Sequence, residues 1–355
     1  MILRAALTYT RAMRISVALA LVTLAACGQV TNTPIDDAGI DTAATDAAAE
    51  IDGATAIDAR LIDAQVIEHW TRIATVATPL DLGNNRGFMA VGLGSKIYIA
   101  PIYDSQTSIF HAFDTATLTL SGGLALPPGT QTDFQASGFG AIFVADADSL
   151  FLIGDSAVRY TPASDRWTPV AGYRVAGFER GESLGAWEGN NNTVFMIGGR
   201  DGSNTYQPTA IRRASDGLWL AEPGALPYTV SNGLAWAPPG DNKVYLAGGQ
   251  NGDNNRNHLA VHSTGTAVWA VLADAPEDIS RAVGMGHFTS GGVTRIWVAT
   301  KQTLFFYNPS TASWDRSIDL PRQDDQVGVV MVAGVPHAVI GDSASADIYK
   351  LISIQ

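Results

Sequence analysis

One apolar pattern returns along this chain at a regular interval. It reads KIYIA (96–100), SLFLIGD (149–155), TVFMIGG (193–199), KVYLAGG (243–249) and RIWVAT (295–300), with a plainer HAVIGD at 337–342. The central positions are Tyr98, Phe151, Phe195, Tyr245, Trp297 and Ala338, spaced about 48 residues apart. A period of that length means that each unit cannot bury its apolar face alone and must stack on its neighbours. Each run is short, β-branched or aromatic, and bounded by Gly, Asn and Pro clusters, as in EGNNN, APPGDN and TSGG. That is the signature of strands joined by tight turns.

A second pattern follows the first. YTPASDRW (160–167) and YNPSTASW (307–314) share Tyr, Pro and Trp, while RRASDGLW (212–219) and HSTGTAVW (262–269) keep the Trp at the same offset. FDTATLTL (113–120) has Leu in that place. A proline comes seven or eight residues later at Pro127, Pro227, Pro276 and Pro321. Each unit therefore holds four short antiparallel strands, and about six such units in a ring make a β-propeller. The last unit lacks its fourth strand. The segment VIEHWTRIATVATPLDL (66–82) carries Trp70 followed by Pro79, parallel to Trp314 followed by Pro321. Residues 66–76 are thus expected to pair with 345–354 and close the ring, because an open blade leaves unpaired backbone groups.

Diglycine after the second strand and tryptophan on the fourth resemble the kelch family, with its galactose oxidase-like propellers. The expected fold is all-β: a six-bladed kelch-like β-propeller over 66–355, closed by an N-terminal outer strand. Gly-Gly is complete at Gly198-Gly199 and Gly248-Gly249, becomes Gly-Asp at 154–155 and 341–342, and is absent at Ala100 and Thr300. WD-type propellers would show regular Gly-His and Trp-Asp pairs, and only Trp314-Asp315 occurs.

The region before the repeats has a different character. Residues 11–28 read RAMRISVALALVTLAACG: a basic start, an apolar run too short to span a bilayer, then Leu24-Ala25-Ala26-Cys27. This resembles a bacterial lipobox. The resemblance implies a signal peptide over 1–26, acylation of Cys27, and anchoring in a bilayer by several chains. Gly28 rather than Asp after the cysteine favours the outer membrane, facing the periplasm or the cell surface. Residues 27–65 are rich in Ala, Asp and Thr, lack aromatics, and read as a disordered tether.

Composition narrows the partners. The net charge of −12 argues against nucleic acid, whose phosphates need a surplus of Lys and Arg. Cys27 is the sole cysteine, so no internal disulfide can form. Kelch-type copper oxidases use a crosslinked cysteine, and this chain's only one is committed to lipid. No cofactor is expected, and the chain reads as a monomer.

Strand direction alternates within a blade, so the 2–3 and 4–1 connections leave on one face. That face is polar. Its binding candidates are Arg86, Arg180, Arg200, Asp201, Tyr206, Asn232, Asn251 and Arg281, and kelch propellers commonly bind partners there. Arg, Asn and Tyr from several blades suit a peptide acid or a sugar, although Asn and Asp also serve turns. His258 and His262 are four apart, which on a strand separates them by about 13 Å, so no metal is expected. His287 reads as a packing residue of a first strand. NGDNNRN (251–257) offers oxygen ligands without the spacing of a calcium loop. The leading expectation is a membrane-anchored, non-enzymatic binding protein that recognises a protein or glycan. The alternative is a kelch-like enzyme of epimerase or glycoside hydrolase type, for which Arg180 and Glu182 are the candidate residues.

Overall fold

The computed structural model describes residues 67–77, 88–101, 109–121, 123–125, 142–153, 157–170, 184–190, 192–199, 209–213, 219–251, 254–255, 257–323, 326–341 and 345–354. The chain divides into two units, Met1–Ala59 and Arg60–Gln355. All described residues belong to the second. The expected signal peptide, Cys27 and the tether lie outside them.

The described residues form antiparallel sheets in a ring. The first strand is β1 (Ile67–Ala77). Sheet 1 holds β2 (Phe88–Leu93), β3 (Lys96–Pro101), β4 (Ile109–Asp114), β5 (Thr119–Leu120) and β6 (Leu124–Ala125). Sheet 2 holds β7 (Ile142–Ala145), β8 (Leu150–Ile153), β9 (Ala157–Thr161) and β10 (Arg166–Pro169). Sheet 3 holds β11 (Leu184–Glu188), β12 (Thr193–Ile197), β13 (Thr209–Arg213) and β14 (Trp219–Ala225). Sheet 4 runs β15 (Leu234–Trp236), β16 (Lys243–Ala247), β19 (His258–Ser263) and β20 (Val268–Asp274), and a separate ribbon of β17 (Gln250–Asn251) and β18 (Asn254–Asn255) interrupts it. Sheet 5 holds β21 (Gly284–Ser290), β22 (Val293–Ala299), β23 (Thr303–Asn308) and β24 (Ser313–Asp319). The closing sheet joins β25 (Gln326–Val332), β26 (Val335–Gly341) and β27 (Ser345–Ile354) to β1. The innermost strands touch in the order β2, β7, β11, β15, β21, β25, and β25 returns to β2. The fold is a β-propeller.

This corrects the expectation of a six-bladed kelch-like propeller. Five sheets are each cut from one continuous stretch of chain, and a composite closing sheet completes them. The five are not copies of one unit. The outer strand of sheet 1 is broken, with β5 and β6 pairing separately to β4. Sheet 4 carries the extra ribbon, and sheet 5 has neither device. At the start of sheet 1's outer strand Leu120 stands where sheets 2 to 5 carry a tryptophan, and it is partly buried against a cluster that sheet 1 shares with the closing sheet.

The outer strands are the most exposed. Every residue of β25 is buried, and so is every residue of β23. β24 alternates exposed and half-buried, as a strand with one wet face should. Adjacent inner strands approach closely. A Cβ at Gly284 would stand 2.0 Å from the Val329 carbonyl oxygen, and one at Gly92 would stand 1.7 Å from that of Met331. These two glycines let the closing sheet meet its neighbours on either side.

The recurrent tryptophans wedge between sheets. Trp167 packs on a cluster that includes Tyr98 of sheet 1 and Tyr160 of its own sheet. Trp269 packs on Phe195 and Val244 across sheets 3 and 4. Trp314 joins sheets 4 and 5 and donates Nε1–H to the Ala273 carbonyl at 3.3 Å. Trp70 does the same work between sheet 5 and the closing sheet, beside Phe306 and Leu351. The residue two before the outer-strand position has positive φ in four sheets: Leu118 (58°), Asp165 (48°), Ala267 (53°) and Ala312 (52°). One turn geometry therefore sets the third-to-fourth hairpin and aims each wedge.

β1 pairs with β27 from Ile67 opposite Ile354 to Ala77 opposite Ser345, with one bulge between Arg72 and Ala74. The expected closing strand is thus found beside the expected partner. Side chains add to the backbone ladder. Glu68, almost fully buried, meets Arg316 of β24 at 2.9 Å, and that guanidinium lies 4.4 Å from the Phe306 ring centre. Thr75 Oγ1 donates to Asp347 at 2.6 Å, and Arg322 of the preceding crossover reaches the same carboxylate at 3.3 Å.

Candidate functional site

The 2–3 and 4–1 connections share a face because backbone hydrogen bonds tie them together. Gly199 N–H donates to the Val230 carbonyl at 2.7 Å, and Gly249 N–H to the Ser280 carbonyl at 3.2 Å. Each diglycine thus docks on the crossover that leads to the next sheet. Only glycine fits there. Gly248 and Gly249 have φ of 63° and 91°. A Cβ on Gly248 would stand 2.0 Å from the Ile279 carbonyl oxygen, and one on Gly249 would stand 2.2 Å from Val230 Cγ2. The segment after Gly249 continues the clamp: Gln250 N–H donates to the Ser231 carbonyl at 2.7 Å, and Ser231 N–H to that of Gln250 at 2.9 Å.

This clamp gathers three of the residues expected to bind. Asn232 follows Ser231 and is exposed, with φ of 56°. Asn251 follows Gln250 on the ribbon, opposite Asn254. Arg281 follows Ser280 and is exposed. Three segments distant in sequence thus reach one place through the backbone of 248–251. Arg86, Arg180, Arg200, Asp201 and Tyr206 lie outside the described residues, as do Cys27 and Glu182.

The two crossovers flanking the clamp are built alike. Ser231 and Ser280 each come four residues after a proline, and both hydroxyls are buried with no hydrogen-bond partner. The Asp278 carboxylate accepts the Ser280 N–H at 2.8 Å and fixes the second crossover.

A further group adjoins the clamp, and spacing alone does not reveal it. His258 opens β19 and stands opposite Asp274 at the end of β20. Its Nδ1 is hydrogen-bonded to the Asp274 carboxylate. Its ring lies against Tyr228 with centroids 5.3 Å apart, and its carbonyl accepts the Gly248 N–H at 3.1 Å. Strand register pairs the histidine with its carboxylate, and the crossover before β15 brings the tyrosine to them. His262, on the same strand, lies in the core against Trp269 at 4.8 Å and Phe195 at 5.8 Å. It takes the slot that Tyr160 and Tyr307 fill beside their own tryptophans. His287 stacks on Trp236 at 5.9 Å and accepts its Nε1–H at 3.3 Å, and burial holds its pKa below the ordinary imidazole value.

Among the described residues no three His, Cys, Asp or Glu side chains are grouped so as to hold a metal ion. Nor does any described helix have the length and apolarity to cross a membrane. The arrangement offers carboxamides on a hydrogen-bonded backbone, an imidazole oriented by Asp274, an aromatic ring and the exposed Arg281. Compared with family models and with curated proteins, the chain matches none of them.

Proposed function

We propose that this protein is a non-enzymatic recognition module that binds a protein or glycan through the face built from its 2–3 and 4–1 connections. The observation that carries this reading is the convergence of Asn232, Asn251 and Arg281 around the clamp at 248–251. A backbone already held by hydrogen bonds loses little freedom on binding, which favours recognition. The lipobox-like sequence ending at Cys27 adds a membrane anchor, with the outer membrane as its location and the propeller facing the periplasm or the cell exterior.

The full-length protein should retain ligands on a combined glycan and peptide array without turning them over. Asn232→Ala and Arg281→Ala should weaken retention. Release of a product from a retained ligand would instead support the enzymatic reading. That second reading has one observation behind it, the imidazole of His258 oriented by Asp274, an arrangement also used by general bases. The anchor has its own test: labelled palmitate should enter the wild-type chain in a bacterial host and not the Cys27→Ala chain.

A further inference from the structure

We propose that the ligand of this face is a neutral carbohydrate, held at sheet 4 by Tyr228, His258 and Asn251. The inference rests on the recognition reading above and names its ligand class.

Chemistry at the site favours hydroxyls over charge. Asp274 takes the Nδ1 side of His258, so Nε2 is the ring nitrogen left to meet a ligand. The imidazole side chain keeps 32% of its surface exposed. A sugar hydroxyl, which both donates and accepts, can pair with that nitrogen. Asn251 sits half-buried on the ribbon, in register with Asn254. A carboxamide donates and accepts from adjacent atoms, and so matches a pair of neighbouring hydroxyls, each of which also does both. The Tyr228 ring, half-buried and fixed against His258, gives a flat apolar surface for the C–H face of a pyranose.

The carboxylates beside these groups already have partners. Asp274 is engaged by His258, and Asp278 by the Ser280 amide. A bound anion would call for paired cations, because charge-assisted contacts carry such recognition. Arg281 is the exposed guanidinium on the neighbouring crossover, 276–283, whose other charged side chains are Glu277 and Asp278.

The test is an array of neutral oligosaccharides, acidic oligosaccharides and peptides probed with the full-length protein, then calorimetry on the hits. Neutral sugars should bind, and Tyr228→Ala and His258→Gln should each weaken them about tenfold or more. Asn251→Ala should weaken them too. It sits on the ribbon outside the core ladder of sheet 4, so it keeps the test valid if Tyr228→Ala loosens the crossover. Val268→Thr on the outer rim should bind as wild type does. Protein-linked and free forms of the same sugar, compared side by side, separate a glycoprotein partner from a polysaccharide. Binding confined to acidic glycans or peptides and lost in Arg281→Ala would overturn this inference while leaving a recognition face. Absence of binding to every class would overturn both.

Discussion

Sheets 4 and 5 are neighbours with the same strand order, yet their second and third strands are joined in opposite ways. In sheet 5 the connection is residues 300–302. Thr300 N–H donates to the Thr303 carbonyl at 2.9 Å, and its hydroxyl accepts the Gln302 and Thr303 amides. No additional strand rises from it. In sheet 4 the same connection covers residues 248–257, and from it the ribbon of β17 and β18 rises against the crossover. The cores beneath differ little: Trp269 and Trp314 both wedge into the preceding sheet. Packing repeats because the ring demands it. The connections are free to differ, and chemistry collects where they are long. The closing sheet takes the contrast furthest, since its side-chain ties, Glu68 to Arg316 and Thr75 to Asp347, serve closure.

Several experiments can break or sharpen this division between closure and recognition. The largest effect is expected from deleting residues 67–77. The deletion strips the outer edge from β27 and removes the Trp70 wedge, so the cooperative thermal transition should be lost in a circular dichroism melt. A melt like that of the parent would show that β1 is an accessory to the ring.

A smaller effect should follow from Glu68→Ala. The carboxylate is almost fully buried and its partner Arg316 is mostly so. Removing it leaves a guanidinium facing Phe306 without its counter-ion, at a cost of about 3 kcal/mol. Urea unfolding measures this, and a change under about 0.5 kcal/mol would mean that the pair does not secure the latch.

Next comes a matched pair of glycine substitutions. Gly248→Ala sets a Cβ against the Ile279 carbonyl at positive φ, whereas Gly240 has φ of 77° with nothing within 4 Å of its Cβ. Gly240→Ala should cost about 1 kcal/mol, the conformational penalty alone, and Gly248→Ala about 2 kcal/mol or more. Equal losses would remove the clamp from the account.

The smallest effect concerns pH. Burial holds His111, His287 and His337 below the ordinary imidazole value. Below about pH 6.5 the unfolded chain therefore binds more protons than the folded one. Stability should be full above that pH and decline as pH falls through the lowered folded-state values. Urea midpoints measured from pH 7.5 to 5.5 should drop, and a flat or rising profile would contradict the burial of these three side chains.

Much of the ring was legible in the sequence for a physical reason: wedges and turns repeat because every junction poses the same packing problem. Trp70 with Pro79 betrayed the closing strand since that strand solves the same problem as Trp314. The inequality of the sheets was harder to see. A broken outer strand in sheet 1 left only a Leu for Trp exchange at Leu120, and the residue count did not reveal the ribbon. The site was legible in part. Asn232, Asn251 and Arg281 stood out as polar loop residues, and the clamp unites them. His258 with Asp274 did not stand out, because strand register pairs them across 16 residues and neither carries a motif. Glu68 with Arg316 is hidden for the same reason.

The most direct test of the division between closure and recognition measures binding and melting together on two variants, Asn251→Ala and Trp70→Ala, using the neutral oligosaccharide that the array selects. The account predicts that Asn251→Ala loses affinity while melting as wild type does. It predicts that Trp70→Ala melts at lower temperature, with about 3 kcal/mol lost, while binding normally below its transition. If Asn251→Ala binds normally, or if affinity and melting temperature fall together in both variants, the account is wrong.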